Sequence, residues 1–124
     1  MMENEGRRSM SKSGTRQQVE LEAASKMSHL MQSEWGLRPA DAWAEIGGGC
    51  LTITLTDALT PIGQIVSRTE NGNALLQGVY EILYAAYRDR SEALIARIAG
   101  RSVPRSRVEV DSRTGSVALL FFFD

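Results

Sequence analysis

The amino-acid sequence predicts an α+β domain: a four-stranded, mostly antiparallel sheet built from two hairpins and packed with helices, in the order α-β-β-α-α-β-β. Three observations predict it. Cys50 to Thr56 alternates strictly, with Leu51, Ile53 and Leu55 pointing one way and Thr52, Thr54 and Thr56 the other, the period of a strand with one covered face. Val19, Ala23, Met27, Leu30 and Met31 recur at helical spacing and form one apolar stripe. Near the end, two further strand-like runs flank the turn Ser112-Arg113-Thr114-Gly115.

The first helix is expected to start at Thr15, which with Gln18 resembles a capping box. Glu22, Ser25, Lys26, His29 and Ser33 fall opposite its apolar stripe, and Gly36 and Pro39 end it. Trp43 to Ile46 reads as the first strand. Gly47-Gly48-Gly49 then supplies a hairpin loop, because glycine accepts positive φ without steric cost. Thr60-Pro61 reads as an N-cap and first helical residue, opening a helical turn or two that ends near Ser67. Asn71-Gly72-Asn73 supplies a break. From Ala74 the helical period returns, with Leu75, Leu76, Val79, Ile82, Leu83 and Ala86 expected inward. It resumes in Leu94, Ile95 and Ile98, with a kink or short turn at Arg88 to Ser91 and Gly100 as the C-terminal cap. In Arg105 to Asp111, Val108 and Val110 alternate with charged residues. Val117 to Phe123 is apolar on both faces, as expected of a central strand or one covered on both sides.

A chain of 124 residues fits one domain, assigned to residues 15–124. Residues 1–14 have no apolar period and read as a disordered tail. The net charge of -1 gives no electrostatic reason for nucleic-acid or membrane-surface binding, so neither partner is expected. Cys50 is the single cysteine, which excludes an intrachain disulfide and fits a reducing cytoplasm. The apolar run at 117–123 is far short of the roughly 20 residues that span a bilayer.

Several motifs in this order resemble the MpsC-like family, also called the YbcI-like domain of unknown function. They are Trp35-Gly36-Leu37-Arg38-Pro39 before the first strand, Leu59-Thr60-Pro61 after the second, and Ile98-Ala99-Gly100-Arg101-Ser102-Val103 after the last helix. Asp111-Ser112-Arg113-Thr114-Gly115 and the apolar strand that follows also match, so the resemblance covers about residues 17–124. It implies a bacterial protein tied to a sodium- or bicarbonate-linked system that generates membrane potential. It carries no established catalytic residues onto this chain. The helix from Ala74 is richer in Tyr and Ala than the family's charged helix, and no proline stands near Ser91.

Candidate sites are few. His29, the single histidine, has polar helical neighbours and reads as a solvated residue. With one His and one Cys, no usual zinc pattern can be written, and Cys50 opens a strand where thiols are commonly inert. Gly47-Gly48-Gly49 is followed by a Thr-rich strand rather than a helix N-terminus, so it is not a phosphate loop. Asp41, Glu45, Asp57 and Glu70 read as solvated element ends, and Arg101, Arg105, Arg107 and Arg113 as a charged sheet edge. No catalytic, metal or cofactor site is therefore expected, and the chain reads as a non-enzyme. Tyr80, Tyr84 and Tyr87 share a helix face, either packed against the sheet or free to bind a partner, a membrane-system or signalling protein. Ala118, Leu120 and Phe122 are the candidate oligomer interface, most simply of a dimer. The leading expectation is an accessory or regulatory module acting through protein contacts. The alternative is a small-ligand sensor with its pocket between helices and sheet.

Overall fold

The computed structural model describes residues 15–124, so the expected tail at 1–14 lies outside the described residues. Eight elements follow in the expected order, with the second long helical stretch divided in two: α1 (Thr15–Trp35), β1 (Asp41–Gly47), β2 (Cys50–Thr56), α2 (Pro61–Val66), α3 (Gly72–Ala85), α4 (Arg88–Ala99), β3 (Arg105–Asp111) and β4 (Ser116–Phe122). The sheet order is β1-β2-β4-β3, with every neighbouring pair antiparallel. Gly48 and Gly49 turn the first hairpin at φ 59 and 74, as a two-residue primed turn demands. Thr60 caps α2, its side chain accepting from the Gly63 amide at 3.0 Å with Pro61 as first helical residue. The chain breaks between α2 and α3 and again between α3 and α4.

Alternation divides the sheet into two unlike faces. Ala44, Leu51, Ile53, Leu55, Val108, Val110, Val117, Leu119 and Phe121 share one face and are buried. Val19, Ala23, Met27 and Met31 of α1, Tyr80 and Tyr84 of α3 and Ile95 of α4 complete the same core cluster. All the long helices therefore cover one face. The first helix does not cross to the other, and Cys50, Thr52, Thr54, Ala118, Leu120 and Phe122 stay half-buried there with no helix of the described residues over them. Strand β4 is central, with Val117, Leu119 and Phe121 in the core and the apolar Ala118, Leu120 and Phe122 on the open face.

Both sheet edges are capped by side chains from helices. On β1, the Ile46 amide donates to Glu20 Oε2 at 2.8 Å, and its carbonyl accepts from Arg16 Nη2 at 3.0 Å. On β3, the Gln77 amide group does both jobs: Nε2 donates to the Val108 carbonyl and Oε1 accepts from the Val110 amide, each at 2.7 Å. Asn73 Oδ1 accepts from the Ser112 amide at 3.0 Å. These are main-chain groups that an added strand would otherwise pair with.

Helix α3 is turned relative to the expected stripe. Leu76 is buried as expected, but Leu75, Val79, Ile82, Leu83 and Ala86 are exposed. Tyr80 and Tyr84 face inward in their place. Two apolar stripes compete on this helix, and the one carrying the larger rings wins. Burial is tolerable because each phenol finds a partner. The Tyr80 hydroxyl donates to the Ala58 carbonyl at 3.1 Å. The Tyr84 hydroxyl lies 2.7 Å from Ser106 Oγ, which in turn donates to Glu92 Oε2 at 2.7 Å.

Burial pushes the Tyr84 phenol up to about 12, and burial raises Tyr80 as well. The folded state thus favours the neutral phenol, whereas the unfolded chain ionises near pH 10. The resulting stability is fully present below pH 10 and is lost as pH rises from about 10 towards 12. The unfolding free energy is expected to fall by about 2–3 kcal/mol across that window from Tyr84 alone. Urea titrations at pH 8 and pH 11.5 check this, and a Tyr84→Phe chain should lose distinctly less between the two.

Candidate partner-binding surface

The segment from Leu59 to Ala86 builds an apolar groove on the side of the molecule. After β2, Asp57 at φ 51 turns the chain sharply, and the Ala58 amide donates to the Gly115 carbonyl at 2.9 Å. The buried Ala58 and Leu59 anchor the entry to α2. This helix is short and packs beside α3 at Gly63, where an added Cβ would lie at ordinary contact distance, 3.6 Å, from Leu76 Cδ2. Gly63 and Leu76 are the floor of the groove, Ile62, Leu75, Val79 and Leu83 its rims, and Trp35 and Tyr80 close one end. The Trp35 ring meets Tyr80 edge-on at 6.0 Å between centroids. The groove's volume is about 290 Å³.

Around the groove the surface stays apolar. Ile62 and Ile82 are 73% and 74% exposed, and Ile65, Leu75, Val79 and Leu83 are exposed beside them. Glu81 is the one charged residue of α3. Such a concentration of large exposed side chains on one pair of helices is what marks a contact surface rather than scattered surface hydrophobes.

The residues singled out in the sequence do not meet here. Tyr80 and Tyr84 are buried core residues with satisfied hydroxyls, Tyr80 also lining the closed end of the groove; Tyr87 is half-buried against Trp35 at 6.0 Å. The exposed apolar face of α3 is the neighbouring stripe, Leu75, Val79, Ile82 and Leu83, which the sequence pattern places in the core. The signal was available: α3 has more large apolar and aromatic residues than one face of a helix can bury. Ala118, Leu120 and Phe122 do lie on the open sheet face.

No chemistry converges elsewhere. His29 is exposed on α1, while Cys50 is half-buried on the open sheet face with its Sγ 3.7 Å from Thr52 Oγ1. Among the described residues no group of three or more His, Cys, Asp or Glu could hold a metal ion. A larger cleft of about 780 Å³ between α1 and the outer side of β1 is wide open and lined by solvated groups such as Gln17, Lys26 and Gln32. Among the described residues no helix is long and apolar enough to cross a membrane.

Fold and surface together define a small α+β domain, with a one-sided sheet and an apolar helical groove. A family model described as "Na+-translocating membrane potential-generating system (MpsC)" matches residues 15–124, and the chain belongs to the MpsC family. Membership links it to a sodium-translocating, membrane-potential-generating system. Neither a curated protein nor a solved structure matches the chain.

Proposed function

We propose that the chain is a non-enzymatic accessory or regulatory module of this bacterial sodium-translocating system. In this reading it works in the cytoplasm as a homo-oligomer. Its groove between α2 and α3 receives the apolar face of an amphipathic helix from another component. The exposed apolar stripe Leu75, Val79, Ile82 and Leu83 carries the reading. Its spacing runs along one side of α3, the arrangement that helix-in-groove recognition uses. The groove is walled by helices whose amides and carbonyls are already paired, so it offers nothing to an incoming strand. Covering one such side chain contributes about 1.5–3 kcal/mol, and several together can hold a partner.

A host lacking this gene, complemented with altered chains, tests the reading. Wild type should restore the sodium-dependent membrane potential. Leu75→Glu/Val79→Glu, at two exposed positions, should fold as judged by circular dichroism yet fail to restore it. Full restoration by the folded variant would remove the groove from the mechanism.

One observation favours a second reading, in which a small apolar ligand fills the same site. The groove has a volume of about 290 Å³, at the low end for ligand sites. It lies between α2 and α3, not between the helices and the sheet. A ligand there would raise the thermal midpoint of the purified protein without any partner.

A further inference from the structure

The open sheet face carries an ordered pattern of charge. Its outward residues form four rows across β1, β2, β4 and β3: Gly47, Cys50, Phe122, Arg105; Glu45, Thr52, Leu120, Arg107; Trp43, Thr54, Ala118, Glu109; and Asp41, Thr56, Ser116, Asp111. The β3 column therefore reads Arg, Arg, Glu, Asp, and it is its own complement when reversed. The centre of the face is uncharged and half-buried. Arg105 and Arg107 stack over the Phe122 ring at 4.2 and 5.5 Å. Arg107 pairs with Glu109 at 2.9 Å, while Arg105 has no carboxylate partner among the described residues. The Asp111 carboxylate accepts from the Arg113 amide at 3.0 Å, and its one charged neighbour among the described residues is the Arg113 guanidinium at 3.9 Å, on a side chain 88% exposed.

We propose that a second copy of this chain covers the open face, related by a two-fold axis that runs across the strands between the Arg107 and Glu109 rows. Reversal about that axis sets Arg105 against Asp111 of the second copy and Arg107 against Glu109 of the second copy, each pair occurring twice. Leu120 then packs over Ala118, and Thr52 over Thr54. On the β1 side, Glu45 meets Trp43 and Asp41 meets Gly47, so no like charges face each other. The alternative face-to-face axis, along the strands, would pair Glu45 with Arg107 but set Asp41 against Asp111 and leave Arg105 facing Gly47 and Glu109 facing Trp43, one favourable pairing offset by one repulsive one. Opposed charges fix register as well as attraction, so the pattern selects the first arrangement. Edge-to-edge association through the capped positions is blocked, since Gln77, Glu20 and Arg16 already occupy those main-chain groups. The open face carries no such caps, and a self-complementary patch closes as a two-fold dimer. This inference rests on the homo-oligomer part of the reading above and not on the groove.

Sedimentation of the wild-type chain against two charge-reversed chains tests it. Wild type should be a dimer whose association weakens as salt rises. Arg105→Glu/Arg107→Glu makes the β3 column wholly acidic, and Glu109→Arg/Asp111→Arg makes it wholly basic. Each alone should associate more than about tenfold more weakly than wild type. Mixed together they should form a heterodimer, because every facing pair is again opposite in sign. All four side chains are accessible, so folding should survive; the single change Arg105→Glu gives a milder variant to confirm the trend. A wild-type monomer would overturn both this inference and the homo-oligomer reading. A dimer that persists in both reversed chains would overturn this inference alone, placing the contact elsewhere. Failure of the two monomeric variants to pair would overturn the two-fold arrangement.

Discussion

Replacing Leu119 by Ala is expected to destabilise the domain by about 2–5 kcal/mol, the range for removing a large buried aliphatic side chain and leaving a cavity. Leu119 occupies the middle of the central strand β4, directly between Ile53 on β2 and Val108 on β3. It and Ile53 are 0% exposed, and Val108 is 2% exposed. Neighbours anchored in two flanking strands cannot collapse into the space without bending the sheet, so most of the cavity should remain. Urea denaturation gives the cost directly. Leu120→Ala is the built-in comparison, one residue along and on the open face, where the loss should be clearly smaller. An unchanged midpoint for Leu119→Ala would show that β4 is not the centre of the core.

Gly72→Ala should cost about 3 kcal/mol or more, although it adds a single methyl group. Gly72 opens α3 against the end of α2. A Cβ there would lie 2.0 Å from the Val66 carbonyl oxygen, 2.9 Å from its carbon and 3.0 Å from Ser67 Cα. All three are backbone atoms, so relief requires moving the end of α2 rather than rotating a side chain. Gly78→Ala, later in the same helix, meets nothing within 4 Å and is expected to stabilise by about 0.5–1 kcal/mol through higher helix propensity. Thermal midpoints of the two variants should move in opposite directions. Equal behaviour would mean that the junction between α2 and α3 yields freely.

The strands were legible in the sequence because a period of two leaves little choice of face. Leu51, Ile53 and Leu55 could share one side only, and the two-sided apolar run of β4 announced a central place. Thr60-Pro61 announced the start of α2 because cap chemistry is local. The orientation of α3 was not legible. Its leucine, valine and isoleucine stripe and its tyrosine stripe both contain Leu76 and differ by a rotation of the helix. Distant partners decide between them: the carbonyl of Ala58 for Tyr80, and Ser106 with Glu92 for Tyr84. The groove was hidden by the same ambiguity, since its rims are the residues a core-seeking reading buries first. Likewise the charge pattern of β3 was visible as alternating Arg and acid. Its meaning as a self-complementary column needed the register against β4.

The capped sheet edges also bear on how safely the chain can be made. Each cap comes from a helix that precedes its strand: Arg16 and Glu20 lie 30 and 26 residues before Ile46, and Gln77 lies 31 and 33 before Val108 and Val110. A ribosome therefore releases every guard before the edge it guards. When β1 emerges, α1 is already available to lie along it, and when β3 emerges, α3 is. Bare strand edges are the sites where growing chains join one another. In this order of synthesis neither edge has to wait for a later segment, so the hazardous interval is set by helix docking rather than by translation. A circular permutant that moved α3 behind β4 would keep every native contact yet leave β3 unguarded until the end of synthesis.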